Sequence, residues 1–315
     1  MEDFLPVRGV RYVRTRALDW VAEVGRVTIL MRDIARFLVP GLRSFGRVVQ
    51  QMGTIGVGSL WLVVVVSLFT GAVAAVQAAY QFTSVVPMRY LGSVVLRSVI
   101  IELGPVLTGL VVGGRVGASI AAELGTMKVT EQIDALRAMA IHPVRYLVVP
   151  RVIAAVVMLP IMTILSDAIA VFGGWTVAIT SIGISSHMYT QSLKDFFLVK
   201  DLMSGLIKAF FFGGIIGTMG CYYGFATEGG AEGVGMATTR AVVASCVAMM
   251  SCWVCTVKSG LAMSTSWRSA SKAVTCEMTL GIRSWLSALR YIVRTASVRS
   301  GEVVMYFWKT MLRGR

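Results

Sequence analysis

Between Val48 and Met88 the chain carries no charged residue. Over its full length only 15% of residues are charged, against about 25% in soluble globular domains. Acid is scarcer still: 16 Asp and Glu stand against 30 Lys and Arg, a formal net charge of +14. Histidine is nearly missing. His142 and His187 lie far apart with no carboxylate or cysteine cluster beside them, which removes the usual soluble-enzyme sites. No G-x-x-x-x-G-K-[ST] occurs, so ATP-driven work would need another chain. The five cysteines, at 221, 246, 252, 255 and 276, imply no disulfide framework. Cys252 and Cys255 form a lone C-x-x-C with no second pair, and read as small apolar residues of a helix. No metal or other cofactor is expected. Nor is a cleavable leader, because the first 47 residues carry nine Arg and no short apolar core followed by a cleavage site.

What is present is apolar sequence in long blocks, 56% of the chain in all. A bilayer-spanning helix takes about 20 mostly apolar residues. Leu60–Ala79 is a first span, and Ser98–Ala122 a second, interrupted by Glu102 and Arg115. Val152–Leu193 provides one span with an exit loop, or barely two. Ala209–Thr227, beginning a turn earlier, and Ala241–Val257 complete a count of five, with six as the alternative. The fold class is therefore all-α, a polytopic helical membrane protein. The basic residues flank these spans, where cationic side chains meet lipid head groups. They do not point to nucleic acid.

Two polar segments read as amphipathic helices. In residues 1–47, Trp20, Val24, Val27, Met31, Ile34 and Leu38 form one stripe, with Glu23, Arg26, Asp33 and Arg36 away from it; such a helix lies flat in the interface. Between spans two and three, Val129, Ile133, Leu136 and Ala140 recur at helical spacing, Glu131, Asp134 and Arg137 take the wet side, and Pro143 is expected to stop the helix. Residues 258–315 form a basic extension with ten basic and two acidic residues and an apolar face through Ile282, Trp285, Leu289 and Ile292. Nine Arg place the N-terminal segment in the cytoplasm. Five spans would put the basic extension outside, and an even count would put it inside.

Ionisable residues inside spans are candidate functional sites. Glu102 precedes Gly104-Pro105, and a proline is tolerated in the first turn of a helix, so Glu102 reads either as a carboxylate at a helix mouth facing a polar cavity or as a simple interfacial acid. Gly109, Gly113 and Gly117 repeat G-x-x-x-G, the spacing that lets helices approach closely.

The stretch ELGPVLTGLVVGGRVGASIAAELGTMKVTEQIDAL from Glu102 to Leu136, followed by MAIHP at Met139–Pro143, YLVVPR at Tyr146–Arg151 and ATTRAVVAS at Ala237–Ser245, resembles the MlaE/YrbE permease family. The resemblance covers roughly residues 20–255, with 48–257 as the permease domain. It implies a permease of an ABC system that moves phospholipid or a related lipid, in the bacterial inner membrane or, less expected here, the plastid envelope. It further implies an ABC ATPase subunit, an MCE-domain substrate-binding protein and a second copy of the chain as partners. By this resemblance the segment carrying Glu123, Lys128, Thr130, Glu131, Gln132, Asp134 and Arg137 is the coupling helix that docks on the ATPase. The lipid site falls at Glu102, with Gln77 and Tyr80 near the head group. The family commonly has Arg directly before the glutamate; here Ile101 stands there, and Arg97, about one turn earlier, is the candidate replacement. An ion-coupled secondary transporter and a non-transporting membrane scaffold are the alternative readings.

Overall fold

The structure is a computed structural model that describes residues 22–38, 40, 45–82 and 87–258, Val24 excepted. All described secondary structure is helical. We number the helices α1 (residues 25–38), α2 (Phe45–Gln81), α3 (Met88–Val129), α4 (Gln132–Ala138), α5 (Val144–Thr180), α6 (Ser186–Phe196), α7 (Val199–Phe225) and α8 (Gly230–Lys258). Five of them, α2, α3, α5, α7 and α8, are long and apolar enough to cross a membrane. The long apolar run after Val152 holds one crossing, α5, and the short amphipathic α6. α1 and α4 lie at the same end of the bundle, the end that the lysine and arginine rule would assign to the cytoplasm. Five crossings place Lys258 on the opposite side, and the basic extension beyond it lies outside the described residues.

Between apolar helices in lipid there is little hydrophobic drive, so close backbone packing and polar contacts hold the bundle together. The α2–α5 seam shows how. Gly71 lies against the backbone carbonyl of Ala170, and Gly173 against that of Leu68, so a Cβ at either position would collide with main chain. One turn before the Gly71–Ala170 contact the Ser67 and Ser166 hydroxyls are 2.8 Å apart. The glycine stripe of α3 works the same way within the chain: Gly109 and Gly113 face Phe212 and Ile216 of α7 and Met249 of α8, and Gly117 faces Ser245 and Ile216.

At the α1 end of the bundle the segment after α3 departs from one continuous amphipathic helix. It breaks at Thr130–Glu131, where Glu131 adopts φ 58°, so Val129 belongs to α3 and α4 keeps only seven residues. The helix also stops before Pro143. Ala140, again at φ 58°, lets Ile141 N–H reach the Leu136 carbonyl and Ala140 N–H the Arg137 carbonyl. This is the double bond pattern that closes a helix through a left-handed residue. Pro143 instead caps the π-helical turn Val144–Val148 that opens α5. Ile133 and Leu136 do face the core.

The α1 stripe is rotated from its expected position. Ile34 is buried and Leu30 packs on the core, but Met31 and Leu38 point outward; Trp20 and Val24 lie outside the described residues. Arg26 Nε donates to Tyr222 Oη at 3.2 Å, Tyr223 Oη donates to Glu23 at 3.0 Å, and the Phe37 ring packs at a tilt against His142, fastening α1 beneath α7 and beside α4.

Glu123, at the base of α3, pairs with Arg151 of α5 at 2.7 Å. Only 3% of the Arg151 side chain is exposed, and its Nε and Nη1 find no hydrogen-bond partner among the described residues. Glu123→Ala would leave that guanidinium with no acid. Half of Glu123 meets solvent, so the expected loss is about 1–3 kcal/mol rather than the full value for a buried pair. Thermal unfolding in detergent should show it, and an unchanged midpoint would mean that Arg151 is held by other means.

Candidate functional site

Glu102 sits in the first of two π-helical turns of α3, Val99–Leu103. Such wide turns are frequent at functional sites. The cause here is local. Pro105 has no N–H to offer the Ile101 carbonyl four residues back. That oxygen instead accepts a hydrogen bond from Lys208 Nζ of α7 at 2.9 Å. The same ammonium reaches Glu102 Oε1 at 3.2 Å, while Trp253 Nε1 of α8 donates to Glu102 Oε2 at 2.6 Å. Lys208 can come this close because Gly205, one turn before it, lies against the Ile100 carbonyl, where a Cβ would not fit. The Lys208 side chain is 1% exposed and that of Glu102 32% exposed. The result is a carboxylate gripped from behind by two helices and open on its other face. A charged group so held can orient a polar head without moving, while the apolar helix surfaces around it suit acyl chains.

Arg97 does not reach Glu102. Its Nε donates to Asp201 at 3.0 Å, one helical level further out between the same two helices. The cation beside Glu102 is therefore Lys208, and the place left by Ile101 is served from another helix. Gln77 and Tyr80 lie on an exposed stripe of α2 that also holds Val73 and Phe69; Tyr80 is 85% exposed. No hydrogen bond joins either residue to Glu102 among the described residues. Asp167 of α5 is buried against Gly104, and both of its oxygens lack a hydrogen-bond partner among the described residues.

The proposed coupling residues divide into two groups. Lys128 donates to the Phe225 carbonyl at 2.8 Å, closing the C-terminus of α7, and Glu123 is occupied by Arg151. Both are fastenings. Thr130, Glu131, Gln132, Asp134 and Arg137 are exposed. Asp134 and Arg137 pair with each other at 2.8 Å, each more than 60% exposed, and line a groove of about 620 Å3 with His142.

Lys208, Trp253, Asp201 and Gly205 were absent from the sequence-derived site. A lysine at the edge of an apolar run looks like a flanking residue, and no local pattern links Lys208 to Glu102.

The sequence profile described as Permease MlaE matches residues 48–257. A probable ABC transporter permease protein of Rickettsia felis is 44% identical over 238 residues, 76% of this chain and 92% of that protein. One from Synechocystis is 37% identical over 230 residues, 73% and 88% of the two chains. The chloroplast protein TRIGALACTOSYLDIACYLGLYCEROL 1 of Arabidopsis thaliana is 36% identical over 221 residues, 70% of this chain and 63% of that one. The match spans every membrane-crossing helix and both the Glu102 clamp and the α4 loop, and the chain belongs to the MlaE family of ABC-transporter permeases.

Proposed function

We propose that this multi-pass permease moves phospholipid or a related lipid across or out of a bacterial inner membrane, with Glu102 as the contact for the lipid head group. The observation that carries the reading is the clamp itself: an outward-facing carboxylate, fixed by Lys208 and Trp253, set among apolar helix surfaces. The chloroplast relative, whose name refers to a galactolipid, supports a lipid as the cargo. A second copy of the chain would close the open side of Glu102 and make the exposed stripe of α2 a cavity wall. Energy comes from a separate ABC ATPase seated on α4, and an MCE-domain protein exchanges lipid at the far side. The ion-coupled alternative calls for paired intramembrane carboxylates. Here Glu102 is held by Lys208 and Trp253 and not by a second carboxylate.

The test is the lipid retained after mild detergent extraction, measured by mass spectrometry. Wild-type protein should carry phospholipid. Glu102→Ala and Lys208→Met should each reduce it by roughly fivefold or more, the effect of losing one charge-assisted contact. Equal lipid in wild type and both variants would remove Glu102 from the head-group role.

A further inference from the structure

The second π-helical turn of α3, Gly113–Gly117, holds an arginine that the Glu102 clamp does not use. Arg115 is exposed. Its guanidinium lies over Gly58 of α2, 2.6–2.7 Å from where a Cβ would stand, and its Nη1 donates to Ser59 Oγ at 2.9 Å. The side chain thus reaches sideways to α2.

Its depth follows from two independent helices. Arg115 lies eight residues outward from Glu123 on α3, about 12 Å at helical rise. On α2, Gly56 touches Met158, which is seven residues outward from Arg151 on α5, about 10 Å. Glu123 and Arg151 are paired at the α4 end of these helices. The guanidinium therefore stands well inside the hydrocarbon, roughly 20 Å below Glu102. A charge in that position is costly unless neutralised.

No carboxylate of the described spans lies at this level. Glu123 is bound to Arg151 at the boundary, and Asp201 to Arg97 at the outer end. Glu232 opens α8 at the cytoplasmic side. Glu102 is held by Lys208, and Asp167 faces Gly104 near the outer level. A symmetric second copy, related by an axis along the membrane normal, repeats the same depths and adds no acid there. The described spans of neither copy supply the counter-charge. At hydrocarbon depth the available anion is a phosphodiester carried in on a lipid, and a guanidinium is the side chain best matched to it.

We propose that Arg115, with Ser59, is a second phospholipid head-group station, in the cytoplasmic half of the membrane and below the Glu102 site. The inference rests on the lipid-transport reading and extends it: one head group passes from one station to the other along the open face of α2 and α3.

The experiment places a photoreactive benzoylphenylalanine at Ser119, exposed one turn from Arg115, or at Tyr80 on the outer stripe, in the full chain in cells fed radioactive phosphate. Both positions should form labelled lipid adducts. Arg115→Gln should lower the Ser119 adduct about tenfold, the loss of a charge-assisted contact, and spare the Tyr80 adduct, while Arg115→Lys keeps both. A Ser119 adduct indifferent to Arg115→Gln overturns the proposal, as does a Ser119 adduct that is polypeptide. Label at Tyr80 without label at Ser119 defeats the second station alone, whereas label at neither defeats the lipid reading as well. Should Arg115→Gln fail to accumulate, wild-type chain in vesicles decides the matter: acyl-labelled phosphatidylglycerol should label Ser119 and acyl-labelled diacylglycerol should not, and equal labelling would overturn the proposal.

Discussion

Reversing two exposed acids of α4, Glu131→Lys together with Asp134→Lys, is expected to detach the ATPase while leaving the permease in the membrane. Neither acid serves the fold. Glu131 is exposed at the break before α4, and among the described residues the Asp134 side chain pairs with Arg137 alone, facing solvent, worth at most about 1 kcal/mol. Like charges forced together across an interface cost several kcal/mol, so binding should weaken on the order of a hundredfold or more. Pull-down of the permease through a tagged ATPase, with membrane-fraction immunoblots as the insertion control, reads both quantities. Undiminished pull-down would remove α4 from the coupling role.

Gly71→Leu is expected to prevent α2 and α5 from meeting. The collision is with the carbonyl of Ala170, which no rotamer change can relieve, and the paired contact of Gly173 with Leu68 would be pried open with it. Overpacking a well-fitted seam costs about 1–3 kcal/mol, and more when main chain must move. Here the expected loss is about 3 kcal/mol or greater, seen as failure to accumulate or as a large drop in the detergent melting point. Gly53→Leu on the same helix, where a Cβ meets nothing within 4 Å, is the matched control and should be close to neutral. If both variants melt alike, close approach is not what holds the seam.

The crossings were legible because apolar length is a coarse signal that survives any packing arrangement. Glu102 stood out for the opposite reason, as an acid inside an apolar run, but whether it faced a cavity or the interface was left open by the sequence. The α4 break was not legible. Val129, Ile133, Leu136 and Ala140 fit a 3.6-residue period whether or not the chain turns left-handed at Glu131 and Ala140, and neither residue type announces that conformation as glycine would. The rotation of α1 escaped for a related reason. Its stripe contains apolar residues on both sides, and only Tyr222, Tyr223 and His142, distant in sequence, decide which side is buried. Lys208 and Trp253 belong to different helices from Glu102, and no local pattern connects them.

The two wide turns of α3 make its length tolerant in an uneven way. A π-helical turn holds one residue more than the helix around it needs, so removing a residue from within Val99–Leu103 or Gly113–Gly117 would restore a regular spiral and leave every later side chain facing as before. Removing one at Thr108 would instead swing Gly113, Gly117 and the whole cytoplasmic half by about 100°. The helix is thus divided into an outer, a middle and an inner piece whose facings are set independently, with Glu102 and Arg115 standing at the two joints.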